Sequence, residues 1–314
     1  MDAFRVLEPG PFTTVQDSGR YGYQQFGIPV SGALDKLAYL AANMLVGNQR
    51  NEAVLEITFI GPRLEVLSDT IVAITGADVP VFVNDRPQAM WAAFAVHRGD
   101  VISIRSARKG VRAYFAVMGG LDVQEIMGSR STYTSGKIGG LEGRPLAKGD
   151  TLRRGPAGAL NRMVFVPENF KPRFDTDIAL RAIPGPQDDF FDTGLGVFFG
   201  SEFTVTSKAD RMGYRLEGPK IEFKENAPQS IISEPSVSGA IQVPPDGQPI
   251  IVLAEQTVGG YAKIATVISP DLDVLAQAKP GDRVRFVPVD LTEAHTIYRS
   301  YRSRLDRLKE CLRS

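Results

Sequence analysis

The chain has 314 residues, enough for two domains, and 36 basic against 36 acidic side chains give it a formal net charge of zero. That balance removes the electrostatic case for nucleic acid as a partner, and no run approaches the roughly 18 apolar residues of a membrane span. Two histidines, His97 and His295, and a single cysteine, Cys311, rule out an intrachain disulfide and leave a Ser-His-Asp triad or a multi-histidine metal site without the residues it needs.

Chemistry in such a chain falls to carboxylates, amides, hydroxyls, Arg, Lys and backbone donors, with no metal expected. The first residues, MDAFRVLEPGPF, show neither a basic start nor an apolar stretch, so no signal peptide is expected and a cytoplasmic location follows.

In chain order, residues 4–30 read as a strand, a turn at Glu8-Pro9-Gly10-Pro11 and a glycine-rich loop carrying Asp17 and Arg20. An Asp–Arg pair three apart is equally a structural ion pair or an anion clamp, since Arg presents a planar fork to carboxylate or phosphate. Leu34, Leu37, Ala38, Ala41, Met44 and Leu45 repeat at helical spacing and predict a helix over 32–47, with Ser31 as N-cap and Gly47 as stop. Strands are predicted at 53–59, 62–67, 70–75, 79–84, 91–97, 101–105 and 112–118, a spacing that suggests a barrel rather than a βαβ fold. Residues 119–150 form a glycine-rich excursion. Its Gly136-Lys137 lacks the remaining residues of a phosphate loop.

The proline-bearing polar stretch 167–177 reads as a boundary between domains 1–168 and 178–314. A strand at 178–183, a short helix around 187–195, further strands to 287 and a helix over 290–313 complete the chain, with Asp290 and Glu293 capping the last helix. Three short signatures recur in order: Arg20-Tyr21-Gly22-Tyr23 with Arg211-Met212-Gly213-Tyr214, Gly61-Pro62-Arg63-Leu64-Glu65 with Gly218-Pro219-Lys220-Ile221-Glu222, and Gly99-Asp100-Val101-Ile102 with Gly281-Asp282-Arg283-Val284. They suggest two related β-domains, the first with a helical insertion.

The most organised stretch is 239–261. Strands Ala240–Val243 and Ile250–Leu253 flank the turn Pro244-Pro245-Asp246-Gly247, where proline fixes φ and Asp-Gly takes the turn positions other residues resist. The loop that follows carries Gln256, Thr257, Gly259, Gly260 and Tyr261. The hairpin brings positions 242 and 256 close, so Gln242, Asp246, Gln256 and Thr257 are expected to line one polar cleft, joined by Arg211 and Arg215. An edge hairpin with a decorated loop is the plainer alternative.

The segments VQDSGRYGYQQFGIPVSGALD (15–35), ANMLVGN, ITFIGPRLEV, ITGAD, MGGLD, GSRST, DRMGYRLEGP and 231–261, in that order, resemble the biotin-dependent carboxyltransferase (allophanate hydrolase subunit 2) family, which includes the C subunit of bacterial 5-oxoprolinase and KipA. The resemblance runs to about residue 290. It implies two cyclophilin-like β-barrel domains and a role in ATP-dependent opening of 5-oxoproline to glutamate, with the B subunit (KipI-like) and the A subunit as partners. ATP is implied for the complex, and no cofactor for this chain alone. The family also implies two alternatives: a carboxyltransferase component acting on urea or a similar amide, and a non-enzymatic regulatory partner of a KipI-like protein.

On the lead reading, Arg211, Arg215, Gln242, Gln256 and Thr257 are the candidate catalytic donors. Asp17, Arg20, Glu234, Asp246, Gly259, Gly260 and Tyr261 are the candidate substrate contacts.

Overall fold

The computed structural model describes residues 1–49, 51–157 and 164–313. The chain forms two compact units, one of Met1–Tyr21, Ser31–Phe174 and Arg304–Ser314, the other of Gly22–Val30 and Asp175–Ser303. The chain passes from the first unit to the second between Phe174 and Asp175, inside the polar stretch 167–177. The segment Gly22–Val30 and the end of the last helix each belong to the other unit from that expected by cutting the chain once.

In the first unit, β1 (Asp2–Glu8), β2 (Thr13–Gln16) and helix α1 (Lys36–Leu45) precede nine strands: β3 (Val54–Thr58), β4 (Arg63–Val66), β5 (Thr70–Asp78), β6 (Val81–Val83), β7 (Arg86–Gln88), β8 (Ala93–Val96), β9 (Val101–Ile104), β10 (Lys109–Val117) and β11 (Thr151–Arg153). They make a six-stranded sheet, β11-β1-β4-β9-β6-β7, and a five-stranded sheet, β2-β3-β10-β5-β8. Alternate residues of both sheets, among them Phe4, Leu64, Val81 and Ile102 from one and Leu55, Val72, Ile74 and Phe115 from the other, fill a single apolar core. The described residues of this unit form two sheets over a shared core, without the full closure of the barrel in the second unit. Spacing sets where strands begin and end; closure depends on which edges pair, and that is a long-range property.

Helix α1 starts later than its apolar periodicity suggests. Asp35, not Ser31, is the N-cap, its carboxylate accepting from the Ala38 amide at 2.9 Å. Ser31 and Gly32 take left-handed backbone (φ 54° and 83°), which helix residues cannot.

The second unit closes into a seven-stranded barrel. Its elements are β12 (Asp177–Pro184), helix α2 (Asp192–Gly200), β13 (Glu202–Ala209), β14 (Gly213–Glu217), β15 (Glu234–Pro235), β16 (Ala240–Val243), β17 (Ile250–Val252), β18 (Val258–Gly259), β19 (Ala262–Val267), the short helix α3 (Leu272–Leu275), β20 (Arg283–Pro288) and helix α4 (Leu291–Arg313). The barrel order is β12-β19-β16-β17-β14-β13-β20, with β12 and β20 parallel; β15 and β18 pair as a separate ribbon. The helix expected near 187–195 runs instead over Asp192–Gly200, and its Phe198 stacks on Phe286 of β20 with centroids 4.3 Å apart. The expected hairpin is present: Ile241 faces Ile251 and Gln242 faces Ile250. Asp290 caps α4 as its spacing predicts, accepting from the Glu293 amide at 2.8 Å.

Of the three repeated signatures, one recurs in structure. Gly99-Asp100 and Gly281-Asp282 both enter a strand with glycine φ at 92°, and each Asp carboxylate accepts the amide three residues back, from His97 at 2.8 Å and Lys279 at 2.9 Å. A third copy, Gly149-Asp150 (φ 93°), binds the Ala147 amide at 2.7 Å. Each turn also grips a neighbouring valine through both backbone groups: Val66, Val205 and Val6 donate to the Asp carbonyl and accept from the Gly amide at 2.8–2.9 Å. The other two signatures fall on unlike local structure. Arg63–Val66 is a strand, whereas Gly218–Glu222 is not.

Candidate functional site

Register across the barrel decides which side chains can meet. Arg215 faces Ile250, Ile250 faces Gln242, and Gln242 faces Lys263. Residues directly opposite in a sheet share a face. The neighbouring row Tyr214, Ile251, Ile241 is fully buried and belongs to the barrel interior. Arg215, Ile250, Gln242 and Lys263 therefore lie in a row on the outer face. There Gln242 and Lys263 are nevertheless buried, 2% and 4% exposed, because the β15/β18 ribbon lies over them.

Beneath that ribbon is a polar cluster. The Lys263 ammonium donates to Glu234 Oε1 at 2.6 Å, and Gln187 Nε2 donates to the same oxygen at 3.0 Å. Gln187 Oε1 in turn accepts from the Lys263 amide at 3.0 Å. Beside them, Gln242 Nε2 donates to Ser236 Oγ at 3.2 Å, while Gln256 Nε2 reaches Gln242 Oε1 at 3.4 Å and the Val258 carbonyl at 3.1 Å. Gly259 makes this fit possible: a Cβ there would stand 2.0 Å from Gln242 Nε2. Buried amides and a buried ammonium held by fixed partners are the donors that can stabilise charge developing on a carbonyl oxygen.

The hydrogen bond from Lys263, then that from Gln187, holds the Glu234 carboxyl below its ordinary value of 4.5. A depressed carboxyl contributes stability above its unfolded value and loses it as pH falls through the folded one. Glu234→Gln is therefore expected to be less stable than the parent chain at neutral pH. The gap should close as pH drops below about 4.5. Thermal midpoints of both proteins across pH 3–8 check this, and a gap that persists unchanged at the acid end would contradict it.

The structure brings together Gln242, Gln256, Glu234 and Gly259 from the sequence-based set. Asp246 stays out of the cluster: it is exposed, and its carboxylate closes the hairpin turn by accepting the Gln248 amide at 3.0 Å. Arg211 is also elsewhere, buried in an ion pair with Glu255 (Nε to Oε1 2.5 Å; 4% and 8% exposed), so its charge is spent on a structural partner. Arg215 points outward and is exposed, as its alternation with Tyr214 and Leu216 requires. Thr257 is half-buried and its carbonyl accepts the Ser236 amide at 3.0 Å, which fastens the ribbon. Gly260 has room for a side chain, its nearest atoms being 3.4 Å from a Cβ, and Tyr261 is 38% exposed. Lys263, Gln187 and Ser236 were missed. The one available signal was a lone lysine inside the apolar strand AKIATV.

Asp17 and Arg20 belong to the first unit, where both are buried, 4% and 0% exposed. Asp17 Oδ1 accepts from the Gly19 amide (2.9 Å), Ser129 Oγ (2.7 Å) and Ser131 Oγ (2.5 Å), and Oδ2 from the Arg130 amide (2.6 Å). Arg20 donates to the carbonyls of Ile126 (3.0 Å), Ser131 (2.8 Å) and Ser129 (3.5 Å). Burial pulls its guanidinium below its ordinary value, partly countered by the Asp17 charge. The pair pins the glycine-rich excursion to the β2 end. The bonds run from each residue to the 126–131 stretch, with no ion pair between Asp17 and Arg20 among the described residues. Among the described residues no cluster of His, Cys, Asp and Glu could hold a metal ion, and no helix is long and apolar enough to cross a membrane.

Residues 26–288 match the family described as carboxyltransferase domain, subdomain A and B. The chain is 35% identical over 306 residues to the C subunit of 5-oxoprolinase from Haemophilus influenzae, covering 97% of each chain. It is 38% identical over 294 residues to the protein of the same name from Escherichia coli K12, covering 92% of each. Among solved structures it superposes on the K. lactis urea amidolyase with a TM-score of 0.92 at 32% identity; 98% of this chain corresponds to only 20% of that one.

Proposed function

From its membership of the carboxyltransferase-domain family, subdomains A and B, we propose that this chain is the C subunit of an ATP-dependent 5-oxoprolinase, working in the cytoplasm with an A subunit and a KipI-like B subunit. The carrying observation is end-to-end similarity to two proteins named for that subunit, each covered over more than nine-tenths of its length. The amidolyase, by contrast, is matched over a fifth of its chain.

A lactam is a poor electrophile, and ATP supplies the phosphoryl group that turns its oxygen into a leaving group. This chain contributes the surroundings. The buried Gln242, the half-buried Gln256 and the Lys263 ammonium supply fixed donors that would hold a ring amide and receive charge as water attacks the carbon. Glu234 and Gln187 orient the ammonium, and the β15/β18 ribbon covers Lys263 and Gln242.

Reconstitution tests the assignment. Mixed A and B subunits with this chain should release glutamate from 5-oxo-L-proline and ATP, and omission of this chain should abolish the release. No glutamate from the full mixture overturns the proposal. Within the assembly, Gln256→Ala is expected to lower activity at least about tenfold, or about 1.4 kcal/mol of transition-state stabilisation. Its thermal midpoint should move by only a few degrees, since Gln256 is half-buried and its loss leaves the barrel core intact. A variant that melts early yet keeps its specific activity would make Gln256 structural.

The 0.92 superposition on urea amidolyase favours one second reading, a carboxyltransferase acting on urea or a similar amide. The same donors would then polarise the acceptor amide. Transfer of a carboxyl group to urea in the presence of a biotin carboxylase and its carrier, without glutamate formation, would select it.

A further inference from the structure

The glycine-rich excursion and β11 of the first unit border a half-open cavity of about 370 Å³, within the size range of small-molecule sites. We propose that this cavity binds a small organic acid through its carboxylate, with Lys137 as the receiving cation.

The charges around the cavity are mostly accounted for. Arg153 stands 3.9 Å from Asp122 and 3.7 Å from Asp2, and Glu142 stands 3.1 Å from Arg144. Lys137 also lines the cavity, is exposed, and among the described residues has no carboxylate within ion-pair distance. Behind the wall lies a second cation. Arg20, 0% exposed, donates Nε to the carbonyl of Ile126, and its Nη2 would stand 2.7 Å from a Cβ on Gly139. Ile126 and Gly139 both line the cavity. Arg20 Nη1 is buried and has no hydrogen-bond partner among the described residues. Asp17 offsets part of the Arg20 charge, so Lys137 remains the uncompensated positive group. An anion, not a cation, is the complementary ligand.

The backbone around the cavity turns tightly, closed by the bridges Tyr133–Ile138 and Leu141–Arg144. Lys137 and Glu142 sit in the left-handed region, at φ 53° and 57°, where side-chain-bearing residues are strained, alongside Gly139, Gly140 and Gly143. Such outliers collect at ligand clamps. The glycines are not interchangeable with larger residues: a Cβ on Gly143 would lie 2.1 Å from the Lys137 carbonyl carbon, and one on Gly140 would lie 1.9 Å from Thr132 Oγ1. The close approach of 143 to 137 sets where the lysine stands.

Calorimetric titration of the purified full chain tests this with three probes: 5-oxo-L-proline, L-glutamate and inorganic phosphate. At least one of the two carboxylates should bind in the millimolar range or tighter. Lys137→Gln should weaken that binding at least about tenfold, and Lys137→Arg should keep it within about threefold. Both variants should melt with the parent chain, and Lys148→Gln, an exposed lysine outside the lining, should bind as the parent does. The proposal falls if neither carboxylate binds, if Lys137→Gln binds as well as the parent, or if phosphate binds more tightly than both acids. The titration needs no other subunit, so its outcome is separate from that of the reconstitution.

Discussion

Asp17→Ala is expected to destabilise the first unit by about 3–5 kcal/mol, the cost of stripping a buried cation of its counter-charge. Asp17 accepts four hydrogen bonds from Gly19, Ser129, Arg130 and Ser131 and is the nearby negative charge for the buried Arg20. Each donor left unsatisfied costs about 1–3 kcal/mol, but the four share one carboxylate and relax together, so their costs do not add. Asp17→Asn should cost less, because one carbonyl oxygen survives while its amide meets a donor it cannot accept. Urea unfolding gives the size of the effect, and hydrogen exchange at residues 129–132 gives its place. Parent-like protection of those amides in Asp17→Ala would show that the excursion is held by something else.

The second large effect is expected at Arg211. Its guanidinium and the Glu255 carboxylate are both nearly excluded from water and lie 2.5 Å apart. Arg211→Met keeps much of the side chain's volume but leaves Glu255 buried and unpaired, at a cost of about 3–5 kcal/mol. Removing both charges should recover a large part of that loss. A double-mutant cycle with Glu255→Gln is expected to show a coupling of at least about 1 kcal/mol. Additive effects would mean the two charges do not depend on each other. This pair also separates roles that sequence alone merged, since Arg211 variants should fail by unfolding and Gln256 variants by losing activity.

What could be read from the sequence was local. The Pro-Pro-Asp-Gly turn marked the 240–253 hairpin, and a 3.6-residue apolar stripe marked the last helix with its Asp290 cap. β-Branched and aromatic runs bounded by Gly, Pro or Asp placed seven strands of the first unit to within a few positions. The site was legible only in part. Gln242 and Gln256 could be paired because one hairpin joins them. Lys263, Gln187 and Ser236 come from a third strand, a loop and the far arm of the ribbon, and only barrel register brings them to the same spot. Likewise Arg211 and Arg215 looked equivalent in DRMGYRLEGP, yet four positions along an extended chain one is buried in an ion pair and the other faces outward. Ser31 looked like a cap because its side chain suits one. Its left-handed backbone, fixed by packing of Gly32 against Gly19, moved the helix start to Asp35.

The interleaving of the two units bears on how the protein is made. Residues 22–30 fold with 175–303, and the end of the last helix folds with the first unit. At about 5–20 residues per second, residues 175–303 alone take a ribosome about 6–26 s. The first unit lacks its final piece throughout that time. Leu305 and Leu308, at 5% and 0% exposure, are made only after residues 175–303, and the apolar surface they cover stays open until then. The first unit therefore cannot be complete until the second has been translated. A stop codon just before residue 304 would leave the second unit translated and the first without its last segment.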